Sequence, residues 1–140
     1  VDLNGGIQVG TADFINPDSL GPKGVSYSQG AVAGDLVFVA GQVGFDENDQ
    51  LVGSDVGSQT RRTLARVETV LQEAGAELSD LVQATVFLKD IATFKEFDAA
   101  WREVMGDHRP TRATVEASAL SPEILVEIQC VAYRSQRGSG

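Results

Sequence analysis

Two short segments of the 140-residue chain carry residue types that do chemistry when held at close quarters. The first is Pro110-Thr111-Arg112-Ala113-Thr114-Val115. An arginine at the start of a strand, just after proline, is held by backbone on both sides. Its planar guanidinium fork matches a carboxylate with two parallel hydrogen bonds. The second is Val126-Glu127-Ile128. A carboxylate inside an apolar strand is costly unless it is paired or protonated. Burial raises its pKa, which suits a proton shuttle near neutral pH. Together the segments point to hydrolysis of a small carboxylate-bearing molecule, with Arg112 gripping the carboxylate and Glu127 handling the proton. Taken singly, each has a plainer reading: Arg112 as a salt-bridged surface residue, Glu127 on the exposed face of an edge strand.

Other chemistry-bearing residues are weaker candidates. His108 is the sole histidine and sits in a loop, without an identifiable triad partner. Cys130, the sole cysteine, alternates with Glu127 and shares its face with Val126 and Ile128, as a small core residue does. It has no intrachain disulfide partner, which suits a reducing compartment. There is no CxxC, HExxH or Asp-rich calcium loop, and Gly30, Gly34, Gly41 and Gly44 form neither a GxGxxG nor a Walker pattern. The expectation is no metal and no nucleotide cofactor.

The elements that must position these residues follow from periodicity. Tyr27–Val32 reads as a strand, Ala33-Gly34-Asp35 as a hairpin break, and Leu36–Ala40 as an apolar strand covered on both faces and ended by Gly41. Val56, Thr60, Leu64, Val67, Leu71 and Ala74 recur at helical steps and predict a helix from about 56 to 74. Arg61, Arg62, Arg66, Glu68 and Glu73 fall on its polar side, and Gly75 is the expected left-handed stop. A strand over 81–88 follows, then a helix over 93–105 striped by Phe94, Phe97, Trp101 and Val104/Met105. Asp90 or Thr93 caps that helix, and Gly106 ends it. Strands near 113–117 and 124–133 complete the order β-β-α-β-α-β-β. Two helices with single apolar stripes cover one face of one sheet. The other face keeps Phe87, Leu125, Val131 and Tyr133 among polar neighbours, which predicts an oligomer. Residues 1–12 read as a flexible lead-in, 13–134 as the domain and 135–140 as a flexible tail.

Composition narrows the function classes. The formal net charge is −9, and the eleven Lys and Arg are scattered. Such a field repels phosphate backbones and anionic lipids, and no basic-aromatic platform stands out, so nucleic acid and membrane are poor partners. No apolar run approaches the roughly 20 residues of a membrane span. The opening residues lack a basic start and an apolar core of the signal-peptide kind, so a cytoplasmic location is expected.

Pro110-Thr111-Arg112, Val115, Ser118, Leu120 and Val126-Glu127-Ile128 resemble the C-terminal signature of the RidA/YjgF/UK114 family. Tyr27-Ser28-Gln29-Gly30, Val39-Ala40-Gly41-Gln42-Val43 and Val86-Phe87-Leu88-Lys89-Asp90 are similar to its upstream strands, so the resemblance spans about residues 14–134. It implies a chorismate mutase-like α+β fold and a homotrimer with sites in the clefts between subunits. It further implies cofactor-free hydrolysis of 2-imino or enamino acids to 2-keto acids and ammonia. The alternative is a non-catalytic trimeric small-ligand binder or regulator. In that likeness Arg112 holds the substrate carboxylate, Glu127 positions or activates water, Tyr27 lines the pocket and Gly41 admits backbone close to substrate. Thr114 and Asp98 complete the pocket, at positions where typical deaminases carry cysteine and asparagine.

Overall fold

The structure, a computed structural model, describes residues 10–134. Residues 1–9 of the lead-in expected over 1–12, and the tail expected over 135–140, lie outside the described residues. The elements are β1 (Asp13–Ile15), β2 (Gly30–Ala33), β3 (Leu36–Gln42), α1 (Val56–Glu73), β4 (Leu81–Leu88), α2 (Phe94–Met105), β5 (Thr111–Glu116) and β6 (Val126–Tyr133). They form one six-stranded sheet of order β1-β2-β3-β6-β4-β5. Neighbours are antiparallel except β4 and β5, which run parallel. A parallel pair needs a crossover, and α2 supplies it. The result is a chorismate mutase-like α+β fold, with both helices on one sheet face.

Each helix forms where its apolar stripe and its caps agree. In α1, Val56, Leu64, Val67 and Leu71 are buried. The Asp55 carboxylate accepts from Ser58 N at 2.8 Å, satisfying one free amide of the first turn. Gly57 N donates to Glu96 of α2 at 3.0 Å, so the start of α1 is tied to the second helix. At the far end Gly75 takes φ 79°, and Arg134 donates to Ala74 O at 3.0 Å, placing a cation at the helix's negative pole. Asp90 caps the short turn Ile91–Thr93 through Ala92 N, and Thr93 makes no side-chain cap to α2. Gly106 ends α2 at φ 61°.

Several expectations are corrected. The first strand of the sheet is β1, which the sequence pattern did not reveal because three residues are too short for periodicity. The strand expected over Tyr27–Val32 begins only at Gly30. Residues 26, 27 and 29 bend instead, with the Asn16 side chain accepting from Gln29 N at 3.1 Å where a ladder bond would otherwise stand. Gly41 does not end β3. The strand continues to Gln42 through a register shift against β6 between Val39 and Gln42. Within the chain β3 is covered on one face only, leaving Leu36 and Phe38 39% and 43% exposed. Arg66, assigned to the polar side of α1, is buried.

Candidate functional site

Pairing register decides where the chemistry-bearing residues point. Arg112 pairs with Ala84, and Ala84 with Cys130, which pairs with Val39. Partners in register share a face, and Ala84, Cys130 and Val39 are buried under the helices. Arg112 and Thr114 therefore lie on the helix side of β5. Glu127 pairs with Phe87, which pairs with Val115, and all three lie on the opposite face. Arg112 and Glu127 are also two strands apart, about 10 Å, and three residues apart along the strands, about another 10 Å. A single chain does not bring them together.

Arg112 is held by α2. Its guanidinium carbon lies 5.0 Å from the Trp101 ring centre, 5.3 Å from Phe97 and 5.5 Å from Phe94. These rings are buried or partly buried because they form the apolar stripe of the helix. A planar cation over aromatic faces is both attracted and oriented. Asp98, one helical turn before Arg102, accepts from Arg112 Nη1 at 3.0 Å and from Arg102 Nε at 2.9 Å. The Arg102 hydrogen bond, with that of Arg112, holds the Asp98 carboxyl below the usual carboxylate range. Asp98 thus occupies one nitrogen of the fork and leaves the remaining donors for another acceptor.

Glu127 lies across the sheet against β3. The register shift brings Gly41 so close that a Cβ there would overlap Glu127 Oε2 and stand 3.0 Å from its Cδ. Only glycine leaves the carboxylate its place. Among the described residues nothing hydrogen-bonds or ion-pairs with Glu127. Burial pushes its pKa up. A half-buried, unpartnered carboxylate with a raised pKa is suited to taking and returning a proton.

Tyr27 is half exposed and lines a cavity of about 490 Å³ with Asn16, Leu20, Ser26 and Gln29. Gln29 O accepts from Ala40 N at 2.9 Å, so this segment runs alongside the strand that carries Gly41. Cys130 is buried and its thiol is pushed up to about 12, which leaves it protonated. His108 hydrogen-bonds with Leu81 O at 2.8 Å, away from Glu127 and Arg112. Among the described residues no group of three His, Cys, Asp or Glu is placed to hold a metal ion, and no helix is long and apolar enough to cross a membrane.

Sequence reasoning missed Arg66 and the two buried glutamines near it, Gln29 and Gln42. The signal was present: Thr63, Arg66 and Val70 continue the buried flank of α1 at three- and four-residue steps.

A small α+β sheet with two helices on one face, one oriented arginine and one unpaired carboxylate defines the class. The chain belongs to the endoribonuclease L-PSP family, also called RidA/YjgF, whose family model matches residues 19–134. A RutC family protein of Pyrococcus abyssi is 38% identical over 119 residues, covering 84% of this chain and 91% of the relative. A 2-iminobutanoate/2-iminopropanoate deaminase of Salmonella typhimurium is 32% identical over 121 residues, covering 84% and 91%. A YjgF/YER057c/UK114 family member from Mycobacterium tuberculosis superposes with a TM-score of 0.76 at 33% identity, covering 88% of this chain and 99% of that one.

Proposed function

We propose that the protein is a homotrimeric cytoplasmic hydrolase. It converts reactive 2-imino or enamino acids to 2-keto acids and ammonia without a cofactor. The observation that carries this reading is the Glu127 carboxylate, free of partners among the described residues and left its place by the absence of a side chain at Gly41. The name of the Salmonella typhimurium relative supports the substrate class. Arg112 of one subunit binds the substrate carboxylate, while Glu127, Gly41 and Tyr27 of its neighbour face the imine. The opposite-face placement within one chain supports this division. Thr114 lines the Arg112 side, and Asp98 sets the guanidinium.

The chemistry is simple enough for these groups. Glu127 takes a proton from water as the oxygen attacks the imine carbon and the C=N electrons move to nitrogen, which gains that proton. The resulting carbinolamine has one hydroxyl and one amine on the same carbon. Glu127 then takes the hydroxyl proton and delivers it to the amine, the C–N bond breaks, the carbonyl forms and ammonia leaves. Fixing the carboxylate bidentately orients the carbon, an entropic gain. Contact-range binding by a guanidinium also outweighs the screened repulsion of a −9 chain.

The test is ammonia release from an imino acid generated in situ by an amino-acid oxidase, with the uncatalysed rate subtracted. Turnover above that rate supports the deaminase. Tight ligand binding without turnover supports the non-catalytic binder instead.

Three further outcomes are expected. Light scattering gives three times the 14.8 kDa chain mass. Phe38→Glu, on the uncovered sheet face opposite Val131, gives folded monomers without turnover, since full burial of such a side chain is worth about 1.5–3 kcal/mol. Arg112→Lys keeps the charge but loses the fork and the guanidinium's contact with the Trp101, Phe97 and Phe94 rings. Its kcat/KM falls at least about tenfold, the scale of one charge-assisted hydrogen bond, with the trimer intact. A Lys variant of unchanged kcat/KM removes Arg112 from the site.

A further inference from the structure

Arg66 sits in the middle of α1 with 3% of its surface exposed, and no carboxylate lies within ion-pair distance among the described residues. Its Nη2 donates to Gly21 O at 2.5 Å and its Nε to Gln42 Oε1 at 3.2 Å, while Nη1 has no partner. Gln42 in turn donates to Gln29 Oε1 at 2.8 Å and to Ala40 O at 3.1 Å. A buried guanidinium whose hydrogen-bond acceptors are all neutral is costly, even with the Phe45 ring centre 5.9 Å away and the Asp49 charge nearby, and packing alone would be better served by an apolar side chain. Burial pulls its pKa down, the electrostatic face of the same cost.

What the network holds is specific. Gly21 and Gln29 bracket the irregular strap that carries Tyr27, and Gln42 follows Gly41 on β3. Between those ends, residues 24–27 make no hydrogen bond within the described chain. The Asp49 carboxylate packs so close to Gly21 that a Cβ there would overlap it. We propose that Arg66 is a positioning residue, which clamps both ends of the Tyr27 strap to the Gly41 strand and so sets the pocket wall. Its effect on turnover rests on the deaminase reading above; its effect on the strap does not.

The test uses whole protein carrying 3-fluorotyrosine, which gives two fluorine signals because Tyr27 and Tyr133 are the only tyrosines. Tyr27→Phe assigns them. In Arg66→Met the Tyr27 signal narrows and moves toward free fluorotyrosine while that of Tyr133 stays. In the same variant kcat/KM falls about tenfold, mainly through KM, because small misplacements of a pocket wall act on that scale. Arg66→Lys reaches one acceptor and recovers part of both effects. An unmoved Tyr27 signal in Arg66→Met overturns the proposal. So do both tyrosine signals moving together with a lowered Tm, which marks general loosening. Should the Met variant fail to fold, the Tyr27 signal of Arg66→Lys decides: displaced upholds the clamp, unmoved overturns it. If wild-type protein turns over no imine, the deaminase reading falls and the fluorine arm alone decides the role of Arg66.

Discussion

Glu127→Gln is expected to lower kcat by about 100-fold, the scale of losing a general acid–base group, while raising Tm at neutral pH. The two side chains are nearly the same shape, so β6 and its contact with Gly41 persist. Gln cannot take the proton of the attacking water. The wild-type rate should rise with pH through the raised pKa of Glu127, above the ordinary 4.5, and then level. The Gln variant should lack that rising limb. Stability moves the other way. A carboxyl whose folded pKa is raised binds its proton more tightly in the folded state than in the unfolded one. Ionising it therefore costs the folded protein above that pKa. The Tm advantage of Gln should be full at neutral pH, shrink as pH falls through the raised pKa, and vanish below the unfolded value. Stopped-assay kinetics and thermal melts across pH measure both. Unchanged kcat with a raised Tm would refute the proton-shuttle role.

Gly41→Ala should cost a comparable factor, on the order of 100-fold in kcat/KM, by moving Glu127 rather than removing it. The backbone at Gly41 is not in the left-handed region, so alanine meets no conformational strain there. Its methyl group does meet Glu127 Oε2 and Cδ. The carboxylate must swing away from its position over β3. A double-mutant cycle separates this from general damage: once Glu127 is Gln, the added methyl should cost far less in kcat/KM, because the group it displaces no longer handles the proton. Full additivity of the two losses would show that Gly41 acts independently of Glu127.

Arg66 marks where pattern reading breaks down. Charge assigned it to the polar side of α1, since arginine is seldom fully buried, although Thr63, Arg66 and Val70 follow the buried flank at helical steps. The contacts that bury it come from Gly21 and Gln42, which are distant in sequence and invisible to helical periodicity. Tyr27 shows the same limit. Its neighbours have strand composition, but an Asn16 side chain takes the amide of Gln29 and the strand starts only at Gly30.

The sequence by itself determined the two helices, the strand Leu81–Leu88, a last strand read over 124–133 and observed over Val126–Tyr133, the one-sided coverage of the sheet and the chemical candidates Arg112 and Glu127. Those features rest on local spacing, on glycine stops at Gly75 and Gly106, and on the cost of a charge in an apolar strand, all of which act within a few residues. Tertiary structure alone decided that Arg112 lies against the α2 rings and pairs with Asp98, that Gly41 abuts Glu127, and that Arg112 and Glu127 face opposite sides of one sheet. Those facts depend on register between strands far apart in the chain, where a shift of one residue turns every side chain to the other face.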